Sequence, residues 1–171
     1  ETDWNEVWRP YAFDKNDQGL APTDYWQLLW KDYQNPTNIS NYKNTDTGPA
    51  YESAEVSDST YIDGLLTEKV IRDIKKLKKS GKPFFLSAGF ISPHLPFNAP
   101  KKYWDLYDRN TIMQPQNYNY IPADAPKMSI SNWSEMRSYS NIPKQGQVSD
   151  SLAIDLIHGY YATVSYTDAL I

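Results

Sequence analysis

No cysteine occurs among these 171 residues. Disulfides, thiolate catalysis and cysteine-ligated zinc are therefore excluded within them. No apolar stretch approaches the roughly 20 residues that a helix needs to cross a bilayer. No signal-peptide pattern is visible. Basic residues are outnumbered, with 17 Lys and Arg against 21 Asp and Glu, for a net charge of -4. That balance argues against a nucleic-acid partner, because phosphate binding needs a basic surface. There is no internal repeat and no low-complexity tract. With only two histidines, imidazole chemistry is confined to His94 and His158.

The chain is long enough for one domain. Hydrophobic residues make up 40% and allow a core, while a mean hydropathy of -0.70 and 12 prolines imply much irregular structure. The first residue is Glu1 rather than methionine, and Ile171 falls inside a helical pattern with no capping glycine. Both ends are expected to be cut.

Residues 1–50 are rich in aromatics, Asn, Asp and Thr. Residues 24–30 fit a short helix or a strand, and the rest reads as loops from Asn35-Pro36 through Asn41 to Pro49. The clearest helix is 62–80, where Leu66, Val70, Ile74 and Leu77 recur at helical spacing and Glu68 and Arg72 can pair. Ser80-Gly81 ends it. Its basic run, Lys75 to Lys79, reads as a solvated face. The nearly unbroken apolar run that follows predicts a strand over 83–91, covered on both faces as in a parallel sheet. A helix joined tightly to such a strand is half of a βαβ unit, so the fold class is α/β. A short helix is expected from Pro100 to Tyr107 and a surface excursion over 109–150. A long helix is expected from a Ser151 cap to Ala169, with Leu152, Leu156 or Ile157, Tyr160, Tyr161 and Val164 facing inward.

His94 is the leading candidate for chemistry. It lies just past the carboxyl end of the predicted strand, where ligands sit in such sheets. Pro93 and Pro96 bracket it and leave the loop little freedom. A loop histidine often only satisfies hydrogen bonds; the strand-end position favours function. Lys101 and Lys102 have the charge to help hold an anionic sugar, although exposed lysines at a helix start are commonplace. His158 and Asp168 read as structural. No acid pair suited to glycoside hydrolysis stands out among the 21 acids. Asn38-Ile39-Ser40 and Asn132-Trp133-Ser134 match the glycosylation sequon.

Pro83-Phe84-Phe85-Leu86, Pro93-His94-Leu95-Pro96-Phe97, Pro100-Lys101-Lys102-Tyr103 and Leu106-Tyr107 together resemble the central part of the sulfatases, nearest the iduronate 2-sulfatase-like branch. The resemblance extends upstream through Gly48 to Glu52, Val56, Asp58 and Asp63-Gly64. Downstream it takes in Gly159-Tyr160-Tyr161-Ala162-Thr163-Val164-Ser165-Tyr166-Thr167-Asp168. Residues 48–108 and 127–171 carry it; 1–47 match weakly.

The resemblance implies an alkaline-phosphatase-like fold, a mixed central sheet flanked by helices, of which residues 1–171 form the central part of one catalytic domain. It implies that His94 contacts the sulfate group. It also sets Trp133-Ser134-Glu135-Met136-Arg137 near the substrate pocket, making Glu135 and Arg137 candidates for specificity; as bare residues they are an exposed loop pair. The family's nucleophile is a formylglycine made in a Cys/Ser-x-Pro/Ala-x-Arg motif, and its sulfate is neutralised by calcium. Neither that motif nor the family's tandem-Asp, Lys-x-x-His and Asp-His/Asn-Gly elements occur here. The chain is therefore expected to be the middle of a longer sulfuric ester hydrolase, to bind no metal itself, and to be inactive alone. Its implied partners are a sulfated carbohydrate and the remainder of the sulfatase chain, in a secreted, periplasmic or lysosomal setting. One rival is a phosphodiesterase or phosphonate hydrolase of the same superfold. Another is a non-catalytic carbohydrate-binding module, since six Trp and 14 Tyr can stack on sugars.

Overall fold

The computed structural model describes residues 32–117, 120–129 and 134–171. The ambiguous segment 24–30 lies outside them. Among the described residues the first element is a helix, α1 (Pro36–Thr45), in a stretch where the residues predict loops. Asn35 caps it through Oδ1, which accepts from Thr37 N at 2.9 Å, and Pro36 takes the first helical position. Asp46 closes it in the left-handed region at φ 54. Asn-Pro is thus a helix start rather than a turn. The pattern gives no warning because α1 buries no residue. Support comes from outside: buried Glu52 accepts from Gln34 N at 2.6 Å, Asn35 N at 3.0 Å and Asn38 Nδ2 at 2.8 Å. The amide of the first sequon is therefore already engaged.

Two short strands, β1 (Tyr51–Ala54) and β2 (Phe97–Pro100), pair in parallel, with Tyr51 opposite Phe97 and Ala54 opposite Pro100. Parallel strands need a crossover, and α2 (Ile62–Ser80) supplies it. Gly81 ends α2 at φ 66, a conformation that suits glycine. On the helix surface Lys69 pairs with Asp73, at 2.5 Å. Only Ile62, Asp63 and Gly64 of α2 are buried, and Ile71 and Ile74 are exposed.

The strand predicted over 83–91 is not formed. Those residues carry no regular structure, and Phe84 and Phe85 are 49% and 79% exposed. A strand exists only where a neighbour takes up its hydrogen bonds. Among the described residues the neighbour of β1 is 97–100. The βαβ unit is present, but its second strand lies beyond the His94 turn rather than before it.

β2 leads directly into α3 (Lys101–Trp104), a single turn where a longer helix to Tyr107 is predicted. Among its described residues the excursion contains three short 3-10 turns, Arg109–Thr111, Lys127–Ser129 and Met136–Ser138. The last helix is α4 (Asp150–Leu170). Its cap is Ser149, whose hydroxyl accepts from Leu152 N, not Ser151. Its buried face is Gly159, Ala162, Thr163 and Tyr166, whereas Tyr160, Tyr161 and Val164 are more than 40% exposed. Small residues win the inward face because the sheet comes so close. A Cβ on Gly159 would lie 2.9 Å from both Phe97 Cβ and Trp104 Cη2. Leu152 and Leu156 do pack inward, against Ala50, Tyr139 and Ile142. The main core joins Tyr61, Ala99, Tyr103, Trp104, Ala162 and Tyr166.

Candidate functional site

His94 sits in a turn closed by its own backbone N–H, which donates to the Ile91 carbonyl at 2.9 Å. The Ser92–Pro93 and Leu95–Pro96 peptide bonds on either side are cis. Nδ1 lies 2.6 Å from the Leu95 carbonyl oxygen. A carbonyl only accepts, so this nitrogen carries the proton. Oε1 of Glu135 lies 3.5 Å from Nε2. Both side chains are about one-third exposed. Glu135 stands at the head of the Met136–Ser138 turn, where its carbonyl accepts from Ser138 N at 2.9 Å. Burial of Tyr139, and then the charge of Glu135, push the Tyr139 phenol upward.

Behind the turn lies a cavity of about 20 Å³, lined among others by Asp32, Tyr61, Asp63, His94, Asn98 and Tyr166. That is room for a single water, not a sugar. A ligand larger than a water therefore finds no room behind the turn. Asp63 is 3% exposed and takes two amides before the His94 turn: Oδ1 accepts from Ile91 N at 2.9 Å and Oδ2 from Ser92 N at 2.8 Å. Asp32 caps α2 through Ile62 N at 3.1 Å, and its carbonyl accepts from Asn98 Nδ2 at 2.9 Å.

The residues singled out from sequence thus separate. His94 and Glu135 meet. Arg137 donates to the carbonyls of Pro143 at 2.7 Å and Gly146 at 2.6 Å, holding the loop that carries Glu135. Lys101 pairs with Asp105 and, at 4.0 Å, with Glu55. Lys102 pairs with Asp58 at 2.7 Å and lies over the Tyr103 ring. Hydrogen bonds to Asp105 and Asp58 push the two ammonium groups upward and keep both charged. Trp133 is outside the described residues. His158 is structural as expected: Nε2 is 2.8 Å from the Trp104 carbonyl. Asp63 and Asp32 are the residues that sequence reasoning missed as parts of the site. Asp63 did carry a signal, an acid in the first turn of a helix beside a glycine, but nothing in one dimension points it at residue 91. Among the described residues, no three His, Asp or Glu converge as metal ligands.

A family model described as Sulfatase matches residues 16–171. An iduronate 2-sulfatase of Mus musculus is 30% identical over 122 residues, covering 67% of this chain and 22% of the relative. The iduronate 2-sulfatase of Homo sapiens is 28% identical over 120 residues, with the same coverage. A sulfatase of Formosa agariphila is 30% identical over 135 residues, 73% of this chain and 23% of its own length. The chain spans under a quarter of the length of these curated relatives.

Proposed function

This chain belongs to the sulfatase family, and from that premise we propose that its residues form one wall of an enzyme hydrolysing sulfate esters of a sugar or polysaccharide. His94 is the sulfate contact. The observation that carries this is the orientation of its ring: Nδ1 is committed to Leu95, which leaves Nε2, 3.5 Å from Glu135, as the nitrogen for a ligand. A sulfate ester offers non-bridging oxygens that need donors, and a departing oxygen on which charge grows. A protonated Nε2 serves either. Glu135 beside it would accept from a sugar hydroxyl next to the ester, which makes it the specificity residue of choice. Arg137 acts by bracing the Glu135 loop. Lys101 and Lys102, each already neutralised by an acid, are given no part in binding.

The names of the mammalian relatives support a sulfated sugar as substrate class. Family membership supports a secreted, periplasmic or lysosomal setting. Formylglycine and calcium, which such chemistry would use, find no seat among the described residues. The chain has no cysteine, and no converging ligand set occurs among the described residues. The 171 residues alone are inactive.

The test is release of inorganic sulfate from sulfated oligosaccharides by a longer protein that contains these residues, and by the 171-residue chain. The longer protein should turn over, and His94→Gln should lower its kcat/KM by about 10²–10³. Full activity of His94→Gln, or turnover by the short chain, would sink this reading.

A further inference from the structure

We propose that Asp63 is the positioning residue for His94, an inference that rests on His94 being the sulfate contact. Asp63 is a carboxylate with 3% exposure, and the described residues supply it no ion pair. Burying such a group is costly unless it is well hydrogen-bonded. It is held by two backbone donors, and the N-terminus of α2 favours its charge.

Where those bonds go decides what the residue does. An acid that served its own helix would accept from the first free N–H groups of that helix. That task falls to Asp32, which accepts from Ile62 N. Asp63 instead spends one oxygen on Ile91 and the other on Ser92, almost thirty positions along the chain. These are the last residue of the apolar run and the first of the turn. With both amides pinned, the Ile91 carbonyl is fixed, and it accepts from His94 N. The position of His94 then lets Nδ1 reach the Leu95 carbonyl. Two bonds at Asp63 thus select the ring face that is offered to a ligand. Asp63 touches no substrate; it acts through the turn.

The consequence is a tautomer, and a tautomer is readable. In the full 171-residue chain labelled with 15N-histidine, only two imidazoles give signals. His158 is the internal reference, because its Nε2 is tied to the Trp104 carbonyl in another part of the fold. At a pH where both rings are neutral, His94 should show the Nδ1–H signature. In Asp63→Asn it should shift to predominantly Nε2–H, the form an unconstrained histidine prefers, with His158 unchanged. Asp32→Asn, which removes the cap of α2, should leave the His94 signature in place. A folded Asp63→Asn protein that keeps Nδ1–H would overturn the proposal. So would an Asp32→Asn protein whose His94 shifts equally, since that is general loosening. If Asp63→Asn does not fold, the wild-type protein still decides. Couplings across the hydrogen bonds from the Ile91 and Ser92 amides to the Asp63 carboxyl carbon should be present, and their absence defeats the claim. Inorganic sulfate added to the wild-type chain addresses the underlying reading separately, because the tautomer comparison contains no ligand.

Discussion

The Tyr166 hydroxyl donates to the Asp58 carbonyl at 2.5 Å, and the same carbonyl oxygen would lie 1.8 Å from a Cβ on Gly64. One main-chain oxygen thus both holds the last helix and fills the space beside Gly64 at the start of α2. Removing the hydroxyl by Tyr166→Phe should cost about 0.5–1.5 kcal/mol. Gly64→Ala should cost more, about 1–3 kcal/mol, because the obstruction is backbone and cannot turn away. Urea denaturation followed by tryptophan fluorescence ranks the two; a harmless Gly64→Ala would contradict the packing described.

Glu52 is 2% exposed and receives four donors, the fourth being the Tyr61 hydroxyl at 2.9 Å. Glu52→Ala strands two backbone amides at the head of α1 and should cost about 3 kcal/mol or more. Since α1 buries nothing of its own, its amides should exchange fastest in the variant. Hydrogen exchange over residues 36–45 that matches wild type would show that α1 does not depend on Glu52.

Burial pushes the phenols of Tyr33, Tyr61, Tyr139 and Tyr166 well above their usual value, and burial with a hydrogen bond to Asp46 pushes Tyr42 up to about 12. The folded state therefore holds these protons more tightly than the unfolded one. Their contribution to stability is complete below about pH 10 and is lost as pH rises above it. Denaturation midpoints should fall steeply on the alkaline side of that value. A midpoint flat into strong alkali would mean that the phenols are open to solvent.

The His94–Glu135 pair is partly exposed, and such pairs add little to stability. Glu135→Ala should move stability by no more than about 1 kcal/mol. Any larger effect of this substitution should appear as raised KM for a sulfated sugar in the longer enzyme. A loss of folding with no change in KM would make Glu135 a structural residue.

Phe84 is 49% exposed in a segment that carries no regular structure. Apolar surface of this kind promotes association. Phe84→Ser should reduce self-association in light scattering while leaving the denaturation midpoint unchanged. A lowered midpoint would mean that Phe84 packs within the chain.

Periodicity made α2 and α4 legible, and Gly81 marked where α2 stops. The same reasoning failed for α1, whose support is one carboxylate on a strand. It also misplaced the second strand. The run 83–91 has the apolar character of a buried strand, whereas Phe97-Asn98-Ala99-Pro100 looks like a turn, and pairing with β1 is a tertiary fact that propensity does not carry. The inward face of α4 is as expected at Leu152 and Leu156 but differs at Tyr160, Tyr161 and Val164, because size, not hydrophobicity, decides it around Gly159. His94 and Glu135 could each be named from the resemblance. Their contact could not, since an excursion with little periodicity separates them.

The parallel pairing of β1 with β2 has a further meaning for how the chain reaches this state. No hydrogen bond between the strands can form until the whole of α2 and the His94 turn have been looped out, and that closure costs entropy before any bond rewards it. Helix α2 is local and forms early, so bringing Phe97 to the Ala50 carbonyl is the slow event. Substitutions in β2 should therefore slow refolding, whereas those in the exposed half of α2 should change the unfolding rate instead.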